Sequence, residues 1–183
     1  MKTREVMDIF EFKNIVEDIV KNERVQEMKK YRQHCDTSCF EHCYNAAFYS
    51  YYICKILNWD YRAVTRAAML HDFYLYDWRS KLDHTNKWHC FTHANIACKM
   101  ACEYFKLNEK EKNIIMSHMW PASFVLPKCK EAFILTLIDK YCALSETIDY
   151  LIRQFANKKF GKYAYILLGI VIFNVTRIKR IIF

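Results

Sequence analysis

The chain has 183 residues with only two glycines and two prolines, enough length for one buried core and little material for the turns that sheets require. Nine cysteines suit reduced thiols rather than a secreted disulfide scaffold, because residues 1–30 are charged throughout and show no secretory signal; the expected location is cytoplasmic. The net charge of +8 allows a general affinity for anions, but lysines and arginines are spread along the chain, much of the excess follows residue 158, and no nucleic-acid-binding motif accompanies them.

Apolar residues Ile9, Phe12, Ile15, Val16, Ile19 and Val20 recur at helical spacing, which predicts a helix over 8–30. Residues 31–41 break the pattern and offer Asp36, Thr37 and Ser38 as caps for a second helix from about His42 to Leu57. Asp60 can cap a third helix that runs through His71. Residues 73–90 form the longest irregular stretch, rich in aromatic and charged side chains, and a loop of that length in a compact domain is often functional. Thr92 can cap a fourth helix to about Phe105, and Asn108 a fifth that ends before Pro121. Pro127 precedes a long helix from about Lys128 to Ile152. The expected class is all-α, with a helical domain over 1–156 and an apolar C-terminal helix over 157–183.

Each of the middle helices carries one polar, metal-capable side chain on its apolar stripe. His42 leads Ala46, Tyr49, Ile53 and Ile56; His71 follows Val64, Ala67 and Ala68; His93 heads Ile96, Ala97, Met100 and Ala101. His118 follows Ile114 and Ile115, and Asp139 lies with Leu135, Cys142 and Ala143. A single inward histidine is ordinarily a satisfied core residue. Separate hydrogen-bond solutions for all of these groups would be costly, whereas one metal centre satisfies them together. Asp72, beside His71, adds a short carboxylate able to bridge two ions.

The ordered set His42, His71-Asp72, His93, His118 and Asp139 resembles the HD-domain superfamily of metal-dependent phosphohydrolases. Similar phrasing surrounds the set: Glu41-His42-Cys43 opens a helix, Ala67-Ala68-Met69-Leu70 precedes His71-Asp72, and Leu137-Ile138-Asp139-Lys140 closes it. The resemblance covers residues 31–147 and implies a single HD-type helical bundle, extended here by an N-terminal and a C-terminal helix. It also implies divalent metal ions, two in number, with Fe, Mn, Ni, Co and Mg not distinguished. His42, His71, Asp72 and Asp139 would hold the first, and Asp72, His93 and His118 the second. The implied reaction is attack of a metal-activated water on a small phosphorylated substrate, nucleotide-like or otherwise. Lys140 and His34 join Asp72 as candidate catalytic residues, Lys140 to neutralise phosphate and His34 to line the pocket near His42. Two departures stand out. Phe73-Tyr74-Leu75 replaces the glycine and lysine that often follow His-Asp, and Met119-Trp120-Pro121 replaces the Gly-Tyr-Pro of the cyclic-dinucleotide branch.

Other signals compete. His34, Cys35, Cys39, His42 and Cys43 crowd together like a zinc finger, but no second ligand pair follows at the required spacing, so ordinary thiols are expected. Arg79, Lys81 and Lys87 are candidate phosphate contacts that solvation explains as well. His84 and His89 could serve as general acids, and Trp78, Trp88 and Trp120 could wall a base pocket. Residues 163–176 are apolar but shorter than the roughly 20 residues needed to span a bilayer. Packing on the core is favoured there over membrane contact. The alternative to an enzyme is a non-catalytic helical ligand-binding or regulatory protein that retains a metal site.

Overall fold

A computed structural model describes residues 2–79 and 89–156, with side chains described for 8–79 and 91–155. Seven helices and one small hairpin appear among them: α1 (Lys2–Lys21), α2 (Glu23–Glu27), β1 (Arg32–His34), β2 (Thr37–Ser38), α3 (Cys39–Ile56), α4 (Tyr61–Leu70), α5 (His89–Tyr104), α6 (Glu109–Ser117) and α7 (Lys130–Ala156). The architecture is all-α, as the composition requires. The chain divides into two compact units, Met1–Ala143 and Leu144–Phe183, with the boundary inside α7. The apolar segment 163–176 lies outside the described residues. Among those described, no helix is long and apolar enough to cross a membrane.

The single helix expected over 8–30 is broken. Asn22 takes an extended backbone, and its side chain accepts from the amides of Arg24 and Val25, so it starts a new helix where the apolar pattern alone would continue the old one. A 3-10 turn at Met28–Lys30 then feeds the hairpin. That hairpin is absent from the sequence reading because strands of three and two residues leave no alternation to detect. Its turn passes through Cys35 at φ 49°, a left-handed position more often held by glycine. The register pairs Arg32 with Ser38 and His34 with Thr37, so Gln33 is the extra residue of a β-bulge.

Ser38 closes the hairpin and opens α3. Its hydroxyl accepts from the Glu41 amide while the Glu41 carboxylate accepts from the Ser38 amide, a reciprocal cap. The helix therefore starts at Cys39 rather than near His42. It buries Cys39, His42, Cys43, Ala46, Ala47, Tyr51 and Cys54, whereas Ile56 is exposed. The buried stripe is thus rotated away from the expected Tyr49–Ile53–Ile56 line, because alanines and cysteines let the facing helix approach. That helix is α4, capped by Asp60 through the Ala63 amide and buried at seven positions from Ala63 to Leu70. It packs on α1, α3, α5 and α6 and forms the centre of the first unit.

Polar ties fix α1 against this centre. Glu11 accepts from Lys55 Nζ at 2.5 Å, Tyr61 Oη at 2.9 Å and Tyr51 Oη at 3.0 Å. Arg66 grips Asp18 through two nitrogens at 2.7 and 2.9 Å, the bidentate pairing that a guanidinium favours. At the start of α4, Lys110 joins Asp60 at 3.0 Å and Glu131 at 3.1 Å, holding the starts of α4 and α7 beside α6. The central helix is therefore braced from its N-terminus to its middle, and its C-terminus is where the polar cluster begins.

Candidate metal centre

His71 and His118 are not mid-stripe residues. Each is the C-cap of its helix, of α4 and α6 respectively. Each ring places Nδ1 2.7 Å from the carbonyl three residues earlier, Ala68 for His71 and Ile115 for His118. A carbonyl can only accept, so Nδ1 carries the proton. In the neutral ring Nε2 then holds a lone pair aimed into the core. This arrangement fixes the tautomer as a carbonyl behind a metal-bound histidine does. It also occupies a carbonyl that the helix end would otherwise leave free. Both helices turn their negative dipole ends toward the cluster, which favours a cation there.

Asp72 follows immediately after His71. His42 comes from α3, His93 from α5 and Asp139 from α7. All six side chains are buried: His42 and His71 at 0 %, Asp72 and His118 at 1 %, His93 at 4 % and Asp139 at 7 % exposure. They form two groups that share Asp72, one with His42, His71 and Asp139 and the other with His93 and His118; within each group the donor atoms lie inside 4.8 Å of one another. In the first, His42 Nε2 is 3.0 Å from Asp139 Oδ1, and His71 Nε2 is 3.4 Å from both Asp139 Oδ1 and Asp72 Oδ2. In the second, Asp72 Oδ1 is 3.4 Å from His93 Nε2 and 3.5 Å from His118 Nε2, and those two nitrogens are 2.9 Å apart. Ligands held roughly 2.1 Å from one ion at tetrahedral to octahedral angles stand about 3.0–3.5 Å from each other. Most of these separations match that range.

The fit to a cation also shows in what is left unsatisfied. His71 Nε2 and Asp72 Oδ1 are buried and make no hydrogen bond, an arrangement that costs stability unless another group occupies the space between them. Burial opposes the Asp72 charge, but the imidazoles of His71, His93 and His118 hold its carboxyl down at about 2. Asp139 is likewise pushed up by burial and drawn well below the usual carboxylate range by His42 and His71. Burial depresses His118 to about 3, with the neighbouring His71 adding to the shift. For His71, burial again opposes charge, and Asp72, Cys43 and Asp139 together raise the ring well above its ordinary value.

Beside the two groups opens a cavity of about 250 Å³, lined by Gln33, His34, Asp72, Trp78, His93, His118, Met119, Asp139, Lys140 and Ala143. Lys140 Nζ donates to the carbonyls of His118 and Thr136, each at 3.2 Å, so its charge is fixed at the wall. The His34 ring packs edge-on against His42 at 5.0 Å between centroids. Arg79 is not among the lining residues: it pairs with Asp77 at 3.6 Å and reaches the Arg32 carbonyl. Trp120 packs on Phe133, away from the cavity lining. Lys81, His84, Lys87 and Trp88 lie outside the described residues, and His89 heads α5. Cys39 is a buried thiol that donates to the Asp72 carbonyl at 3.0 Å, and burial pushes the Cys43 thiol well up. Gln33, Met119 and Ala143 had no sequence signal to mark them; Gln33 enters only because the bulge turns it inward.

A family model for the HD domain matches residues 39–144, more than half of the chain. The chain belongs to the HD domain family. Comparison with curated proteins and with solved structures returned no match. HD domains bind divalent metals and are typically metal-dependent phosphohydrolases, and the buried histidine and aspartate groups are compatible with such a site. The matched span starts at Cys39, the first residue of α3, so the hairpin with Gln33 and His34 precedes it.

Proposed function

We propose that this HD domain is a metal-dependent phosphohydrolase acting on a small phosphoester. The observation that carries the reading is the pair of buried histidine/aspartate groups sharing Asp72 at the wall of an open cavity. His42, His71, Asp72 and Asp139 would hold one divalent ion, and Asp72, His93 and His118 a second. Four imidazoles and two carboxylates suit first-row transition ions such as Fe, Mn, Co or Ni better than Mg, which prefers an all-oxygen shell. Bound ions would supply Lewis acidity and a water nucleophile available near neutral pH.

The chain's own residues supply the remaining requirements. Lys140, anchored by two carbonyls, presents one positive charge at the cavity wall and can neutralise a phosphate oxygen. His34 places an imidazole at the same wall, where it can hand a proton to a leaving alkoxide. Trp78, Met119 and Ala143 add apolar surface for the rest of the substrate. Burial of the two groups keeps bulk water from competing with the substrate's charged oxygens.

The test is a phosphoester panel assayed with protein stripped by chelator and then reloaded separately with Mn, Fe, Co or Ni. Hydrolysis restored by metal, and abolished by Asp139→Ala, is the expected outcome. Metal uptake without turnover of any panel member would replace this reading with a non-catalytic, metal-retaining regulatory protein.

A further inference from the structure

Asp72 must present its two oxygens to two different groups, and nothing intrinsic to the residue ensures this. The last torsion of an aspartate is broad, and rotation would turn either oxygen toward either group. The hairpin supplies the missing constraint. Gln33, 8 % exposed, donates from Nε2 to Asp72 Oδ2 at 2.5 Å. Behind it, the fully buried Tyr74 donates from its hydroxyl to Gln33 Oε1. The Asp72 carboxylate can only accept, so the NH2 group is the end of the amide directed at it, and Oε1 is left to accept from the Tyr74 hydroxyl.

The two oxygens of Asp72 are consequently unlike. Oδ2 accepts from Gln33 and lies beside His71, while Oδ1 has no hydrogen-bond partner and faces His93 and His118. The β-bulge is what makes the contact available, since it places Gln33 between the two paired positions of its strand.

We propose that Gln33 is a positioning residue that locks Asp72 with one oxygen turned to each histidine group, and that Tyr74 anchors the far end of the Gln33 amide. The claim rests on the reading of the two groups as sites for two divalent ions, and it adds a residue outside the span that matches the HD domain.

The test uses full-length, chelator-stripped protein titrated with Mn2+ by calorimetry, with electron paramagnetic resonance reporting whether two ions share a bridge. Wild-type protein takes up two ions and gives an exchange-coupled signal. Gln33→Met, of similar length but without the amide, weakens the weaker site by about 10- to 100-fold, changes the stronger by less than about threefold, and loses the coupling. Tyr74→Phe shifts the same site in the same direction by a smaller factor, and it decides the matter if Gln33→Met does not fold. A packing role alone would lower the melting temperature of the metal-free variants and leave the ratio of the two affinities and the coupled signal intact, which overturns the proposal but not the site. Wild-type protein that binds one ion or none overturns both.

Discussion

His71 and His118 adopt the same posture at the ends of two different helices, with Nδ1 on the carbonyl three residues back, and their rings meet edge to face at 4.8 Å between centroids. Each therefore fills two roles, closing its helix and offering Nε2 to the cluster. The two roles separate by substitution. His118→Asn keeps a polar cap but removes a donor from the group that holds Asp72, His93 and His118. Bound metal, measured by elemental analysis, should fall from about two equivalents to about one. Asp72→Ala removes the shared carboxylate and should empty both groups. Undiminished metal content in Asp72→Ala would contradict the shared arrangement.

Removing metal should destabilise the first unit. A ligand that binds only the folded state contributes roughly 2.7 kcal/mol when present at a hundred times its Kd. For a chain of this length each kcal/mol moves Tm by about 2–4 °C, so saturating Mn2+ should raise the melting temperature of stripped protein by about 5–10 °C. Calorimetric scans with and without added metal measure this directly. The increase should vanish in Asp72→Ala.

The tie between α1 and the central helices predicts a pH dependence. The Lys55 ammonium, aided by the hydroxyls of Tyr61 and Tyr51, lowers the Glu11 pKa against the opposing effect of burial. A depressed carboxyl contributes its stability above the unfolded value, near 4.5, and loses it as pH falls through the folded value. Wild type should therefore melt above Glu11→Gln at pH 7, and the gap should close progressively below pH 4.5. A gap that is constant from pH 7 to pH 3 would exclude the ion pair as its source.

Core and surface positions should also separate cleanly. Leu70 is fully buried in the last turn of α4, and Leu70→Ala should cost about 2–5 kcal/mol in denaturant unfolding. Phe124 is 97 % exposed, and Phe124→Ala should stay within about 0.5 kcal/mol of wild type.

The helices were legible because their caps are written locally. Asp60 and Asn108 mark the starts of α4 and α6 in the sequence as they do in the structure. Ser38 was one of three candidates, and only the pairing of the hairpin selects it. The break at Asn22 was hidden because the apolar spacing runs on across it. The apolar spacing places His71 and His118 on inward-facing stripes, and they are buried, yet they lie just beyond the helices as caps, a local role that spacing does not mark. Gln33 was not legible at all. Its partner is 39 residues away, and the bulge that aims it leaves no trace in a short, irregular stretch.

Two helix-capping histidines make helix length itself a constraint. One residue added to or lost from α4 or α6 turns everything beyond it by about 100° and shifts it about 1.5 Å, enough to point the ring away from its partners. The connections between helices carry no such ruler. Variation in length among descendants of this chain should collect in those connections, while α4 and α6 keep a fixed residue count even where their outward side chains change freely.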